Sequence, residues 1–164
     1  MTYSIWLVPD SKDAKYLNKI IQKLAKEHNA PKFSAHITLY SGIKSLSKAK
    51  SAIQLLDARK IKATKTGIGQ SDYVWKTLYI KIKKDKTLAK THKTLHKTLG
   101  TKYDFAPHIS LIYKKMDCST KRKIKSHLEI KKSFVFGGVI IIRSSTNVSK
   151  WKVLYHKRLG LGAA

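Results

Sequence analysis

Two short strings hold chemistry-bearing side chains at matched spacing: F-S-A-H-I-T-L at Phe33–Leu39 and F-A-P-H-I-S-L at Phe105–Leu111. On an extended strand alternate side chains share a face, so His36 and Thr38 point one way while Ile37 and Leu39 point into the core. His108 and Ser110 behave likewise. Each string therefore offers one imidazole beside one hydroxyl on a rigid platform. Imidazole titrates near neutrality, so one ring can take a proton from water while a second protonates a leaving oxygen. The hydroxyls can hold non-bridging phosphoryl oxygens as charge shifts. That set suffices for phosphodiester hydrolysis without a metal. A single His-x-Thr/Ser string is common, and its His is usually an ordinary strand residue. Two copies, each with Phe three residues before the His and each after a helical segment, are far more specific.

The elements that must position these strings can be read from periodicity. Ser4–Val8 reads as a buried strand ended by Pro9-Asp10. From Asp13 to about His28, Tyr16, Leu17, Ile20, Ile21 and Leu24 recur on one helical face. Phe33–Ser41 reads as a strand, and Ser47 as the cap of a short helix through Leu56. Ile61–Thr66 follows as a strand and Gly67–Ser71 as a turn. Tyr73–Ile82 alternates as a strand with Tyr73, Trp75, Thr77 and Tyr79 on one face. Thr87–Leu99 is amphipathic, with Gly100 as its C-cap. Phe105–Tyr113 is a strand, Ser119–Leu128 a short helix, and Phe134–Arg143 and Lys152–Leu159 strands joined through Ser144–Ser149. The order repeats: a long helix, a His string, a short helix, then strands, with a period of 72 residues from His36 to His108. That period is too long for a solenoid and suits two pseudo-symmetric lobes. The expected fold is α+β: one bilobal domain over residues 1–164, each lobe an antiparallel sheet with outer helices, and a central cleft between them.

Composition bounds the partners. Lysine and arginine number 35 against 9 acidic residues, a net charge of +26. The lysines are spread along the chain, and such an excess attracts polyanions. A hydrophobic fraction of 42% suffices for a core. One cysteine, Cys118, excludes an intramolecular disulfide, and the neighbouring Asp117 disfavours its thiolate. The N-terminus lacks the features of a secretory signal. The apolar run Val139–Ile142 is far too short to span a membrane. A cytoplasmic monomer without a membrane partner is expected.

The paired strings resemble those that define the 2H phosphoesterase superfamily. Within it, S-I-W-L-V-P (Ser4–Pro9), A-H-I-T-L-Y-S-G-I (Ala35–Ile43), P-H-I-S-L-I-Y (Pro107–Tyr113) and W-K-V-L-Y-H-K-R-L (Trp151–Leu159) are similar to the cyclic phosphodiesterases of yeast and plants. The resemblance spans nearly the whole chain. It implies hydrolysis of ADP-ribose 1″,2″-cyclic phosphate, a by-product of tRNA splicing, and of nucleoside 2′,3′-cyclic phosphates to 2′-phosphates. It carries over His36, Thr38, His108 and Ser110 as catalytic positions, with His108 as base and His36 as acid. Ser110 stands where Thr is common in the family.

Other candidates rank lower. Tyr73 and Trp75 could stack on a base or ribose, or simply pack across strands. Tyr40, Tyr113 and Trp151 have the same two readings, and Trp6 reads as packing. His92 and His96 have a metal-compatible i, i+4 spacing but no third ligand, so a solvated face is preferred and no metal or cofactor is expected. Gly67-Ile68-Gly69 lacks the rest of a dinucleotide loop. The expected partner is a small cyclic-phosphate substrate, with weak RNA binding that has no sequence preference. The rivals are a 2H enzyme acting on RNA cyclic-phosphate ends or 2′–5′ linkages, and a non-catalytic RNA-binding module.

Overall fold

The computed structural model describes residues 1–160, so the last four residues of the expected 1–164 domain lie outside them. The elements run β1 (Tyr3–Pro9), α1 (Ser11–His28), β2 (Ile37–Ile43), α2 (Leu46–Gln54), β3 (Ile61–Gln70), β4 (Leu78–Ile82), α3 (Lys86–Leu99), β5 (His108–Ile112), α4 (Cys118–Ser126), β6 (Ser133–Arg143) and β7 (Lys152–Arg158). Among the described residues the strands form one antiparallel sheet in the order β1-β2-β5-β4-β3-β6-β7, and β6 also pairs with β1. Six strands thus close a ring. One edge of β6 serves β3 with its first residues and β7 with its last. The fold is α+β as expected, but the strands share one sheet where two had been anticipated.

Local chemistry sets the helices. The α1 residues Leu17, Ile21 and Leu24 are buried at i, i+4 and i+7 spacing, the stripe that seats a helix on a sheet. Buried Asp13 accepts a hydrogen bond from the Val135 backbone N–H (2.7 Å) and pairs with Lys131, tying α1 to β6. Asp85 and Asp117 cap α3 and α4 by accepting from Leu88 and Thr120 N–H groups. Gly100 ends α3 at φ 73°, as its place after the apolar stripe predicts.

Several boundaries differ from the sequence expectation. Ser45, not Ser47, caps α2 by accepting from Lys48 N–H. The residues 67–70 continue β3 instead of turning, because Gly69 lies beneath the Tyr79 ring of β4. A Cβ there would sit 2.4 Å from that ring, so any larger residue would have to displace the Tyr79 side chain. The alternation over 73–77 is not strand: residues Val74–Lys76 form a 3₁₀ turn, closed by Thr77 Oγ1 donating to the Val74 carbonyl and Ser71 Oγ to that of Lys76. Both His strings become strand later than expected, at Ile37 and at His108.

Candidate active site

The two strings meet where β2 pairs with β5. The registered pair is Ile37 with Ile109, both fully buried. An antiparallel pair centred there sets His36 across from Ser110 and Thr38 across from His108, all four on the opposite face from the two isoleucines. That face lines a cleft of about 500 Å³ holding His36, Thr38, His108 and Ser110 together. The repeat extends to the hydrogen bonds. His36 Nδ1 donates to the Ser34 carbonyl at 2.7 Å, and His108 Nδ1 donates to the Ala106 carbonyl at 2.8 Å, each two residues back. Each neutral ring therefore keeps its Nε2 lone pair free for proton transfer.

The rings differ in surroundings. His36 is 6% exposed and lies flat on the Trp6 indole, centroids 3.5 Å apart and planes 8° from parallel. Burial pushes its pKa down to about 4; the Ser34 hydrogen bond opposes this and the nearby His108 adds to it. His108 is half-buried, with Tyr79 edge-on at 5.5 Å. Burial lowers its pKa, the Ala106 bond opposes this, and the Lys76 ammonium lowers it further. Both shifts favour the uncharged form of the rings in the free protein.

The hydroxyls also differ. Ser110 Oγ, buried, donates to the Trp75 carbonyl at 2.8 Å, so it must rotate away before it can donate to a phosphoryl oxygen. No protein partner holds the Thr38 hydroxyl among the hydrogen bonds of the described residues. Thr38→Val is therefore expected to cost about 1.5–3 kcal/mol of transition-state stabilisation, the scale of a bond to a charged partner. Ser110→Ala is expected to cost only about 0.5–1.5 kcal/mol. Values of kcat/KM for both variants, with melting temperatures as the folding control, check this; equal losses would contradict the asymmetry.

Of the aromatic candidates, Tyr73, Trp75, Tyr113 and Trp151 line the cleft. Tyr73 stands 63% exposed at the rim, and Tyr113 stacks on Phe33 at 3.9 Å. Tyr40 does not reach it. β2 advances two residues, from Thr38 to Tyr40, while β1 advances one, from Trp6 to Ile5. This bulge breaks the alternation that would have aligned Tyr40 with Thr38. Tyr40 is fully buried, its hydroxyl 3.1 Å from His96 Nδ1 and its ring 5.4 Å from that of His92. His92 is half-buried against this tyrosine, while His96 touches its hydroxyl from an otherwise exposed position, as the solvated-face reading expects. No group of three or more His, Cys, Asp or Glu among the described residues could hold a metal ion.

Sequence reasoning missed several lining residues. Trp6, read as packing, is the floor beneath His36. Lys76 was one lysine among many. A second repeat would have flagged it: W-K-T-L-Y-I-K at Trp75–Lys81 matches W-K-V-L-Y-H-K at Trp151–Lys157. Each follows or completes a 3₁₀ turn, and the two indoles meet at 5.9 Å. The loop bearing Trp75 is anchored from below by Lys121, buried to 2% exposure, whose ammonium donates to the Ser71 carbonyl and the Asp72 carboxylate at 2.9 Å each.

Residues 1–96 match the model of a family described as cyclic phosphodiesterase-like protein. The chain belongs to that family. Through it the chain is a 2H phosphoesterase, and the second motif, beyond the matched residues, stands in the cleft beside the first. No curated protein matches the sequence significantly. The solved structures similar to this cyclic phosphodiesterase-like chain include TT0787 of Thermus thermophilus, with 14% identity over 97% of this chain and 98% of that one and a TM-score of 0.67. E. coli LigT in complex with 3′-AMP is similar at 15% identity over 96% of each chain, TM-score 0.64. Both likenesses concern the fold. No helix among the described residues is long and apolar enough to cross a membrane.

Proposed function

We propose that this protein is a cyclic phosphodiesterase that opens nucleoside 2′,3′-cyclic phosphates, or ADP-ribose 1″,2″-cyclic phosphate, to the monoester by two-histidine acid–base catalysis. The observation that carries this is the pair of imidazoles from equivalent repeat positions, each pinned through Nδ1, facing one cleft beside Thr38 and Ser110. The repeat halves act as lobes closing on one phosphoryl group. Water attacks phosphorus as His108 takes its proton. The ester P–O bond breaks as His36 protonates the leaving ribose oxygen, and the two rings then exchange protons with solvent. The resemblance of the motifs supports this division of roles. So do the neighbours: the Lys76 ammonium favours neutral His108, and the Trp6 face beneath His36 stabilises an imidazolium. Burial holds His36 neutral in the free protein; the anionic phosphoryl group supplies the charge that lets it bind a proton.

Product analysis on a panel of cyclic phosphates and short oligonucleotides, with and without EDTA, tests this reading. Hydrolysis of the cyclic mononucleotide at an unchanged rate in EDTA is expected; a rate lost on chelation and restored by zinc or manganese would overturn the mechanism.

The +26 charge supports a second reading, action on RNA ends. A small substrate meets few cations, whereas a polynucleotide releases counterions with a log–log salt slope of about −0.7 per phosphate contacted on a single strand. KM for the cyclic mononucleotide is expected to change only modestly between low and moderate salt, with RNA binding weak and without sequence preference. Tight RNA binding of steep slope, with oligonucleotides cleaved faster than mononucleotides, would favour the second reading.

A further inference from the structure

One repeat position differs sharply in bulk between the two halves of the cleft. Seventy-two residues beyond Ser41 stands Tyr113, and both line the cleft. On the second-half side the Tyr113 ring fills its space, stacked on Phe33 and edge-on to Trp75 at 5.0 Å. On the first-half side Ser41 leaves that volume open. A cluster of hydroxyls faces the opening. Ser4 Oγ lies 2.9 Å from Ser41 Oγ and 2.8 Å from Ser144 Oγ, and Ser4 is only 5% exposed. Three hydroxyls carry three protons, and the two contacts use two. One donor and several lone pairs are left over for whatever enters the cleft. No carboxylate among the described residues lines the cleft, and its ammonium, Lys76, lies by His108 in the other half. The serine end is therefore neutral and can both donate and accept. That chemistry matches sugar hydroxyls and nucleobase edges, and not a second phosphate.

We propose that Ser4, Ser41 and Ser144 form a specificity subsite for the nucleoside portion of the ester whose phosphate sits between His36 and His108. The proposal rests on the phosphoesterase reading only for what lies between the imidazoles. It also sets the direction in which the substrate leaves the reacting centre: toward the open serine end and away from Tyr113.

The test combines binding and turnover. Tryptophan fluorescence reports binding of a nucleoside 2′-monophosphate and of inorganic phosphate; turnover is compared on a nucleoside 2′,3′-cyclic phosphate and on glycerol 1,2-cyclic phosphate. Wild-type protein is expected to bind the nucleotide about tenfold tighter than phosphate, the scale of one or two hydrogen bonds. Ser41→Tyr, which copies the other half, should abolish that preference. Ser144→Ala, a milder change that keeps the fold if Ser41→Tyr does not, should reduce it about threefold or more. Phosphate binding and glycerol cyclic phosphate turnover should stay within about twofold for Ser144→Ala. Equal losses on small and large substrates, or no wild-type preference for the nucleotide, overturn the subsite. If neither cyclic phosphate is hydrolysed while the binding preference and its loss persist, the catalytic reading fails and the subsite stands.

Discussion

His36→Ala or His108→Ala is expected to lower kcat on a nucleoside 2′,3′-cyclic phosphate at least ~10²-fold, the usual scale for losing a positioned acid or base. Both rings are held by an Nδ1 hydrogen bond to a carbonyl two residues back, so each Nε2 is oriented before substrate arrives. The other titratable side chains of the cleft are tyrosines and Lys76. Burial pushes the Tyr103 and Tyr113 hydroxyls upward, Tyr103 to about 12, too far from neutrality for either to replace an imidazole. The double variant should be little slower than the slower single one, because the rings act as a unit. His36→Gln serves as a second variant where loss of the ring stacked on Trp6 weakens packing. The roles separate with catechol cyclic phosphate, whose phenolate leaves without help from an acid. On that substrate His36→Ala should regain most of its rate and His108→Ala should not. Near-wild-type turnover of the nucleotide by either alanine variant would remove the assignment altogether.

The second large effect is on pH dependence. Catalysis needs one neutral and one protonated imidazole, and kcat/KM reports the free enzyme. Burial lowers His36 to about 4 and lowers His108 below its ordinary range. Well below both values both rings are protonated and no base remains. Well above both values both rings are neutral and no acid remains, so the active fraction falls tenfold per pH unit. The expected profile of kcat/KM is a bell with its maximum on the acid side of 6.5, falling through neutrality. The two limbs belong to the coupled pair and not to either ring alone. A bound phosphoryl anion favours both imidazolium forms, so the basic limb of kcat should lie at higher pH than that of kcat/KM. Lys76→Ala removes a repulsion on His108 and should move the basic limb of kcat/KM upward. A kcat/KM that is flat or rising between pH 6.5 and 8.5 would contradict this account.

Much of this molecule was legible in its sequence because local rules decide it. The stripe of Leu17, Ile21 and Leu24 makes α1 a helix wherever it lies, and Gly100 ends α3 because a left-handed residue is needed there. The paired His strings named the catalytic candidates because a motif repeated at 72 residues is hard to obtain by chance. Other features depend on what a segment meets. The residues around Trp75 alternate like a strand, yet side-chain bonds from Ser71 and Thr77 wind them into a turn. Gly67 and Gly69 read as a turn until Tyr79 is seen lying across Gly69. Tyr40 shares strand parity with Thr38, but one bulged residue against β1 carries it into the core and leaves Ser41 in the cleft. Period-2 arguments assume unbroken register, and register belongs to the pair of strands, not to either one. The properties of the site have the same origin. The residue types alone determine that two imidazoles and two hydroxyls are available. Only the tertiary structure decides that His36 is buried flat on Trp6, that Lys76 lies by His108, and that the Ser110 proton is committed to Trp75, because burial and charge at a point are sums over every segment that reaches it.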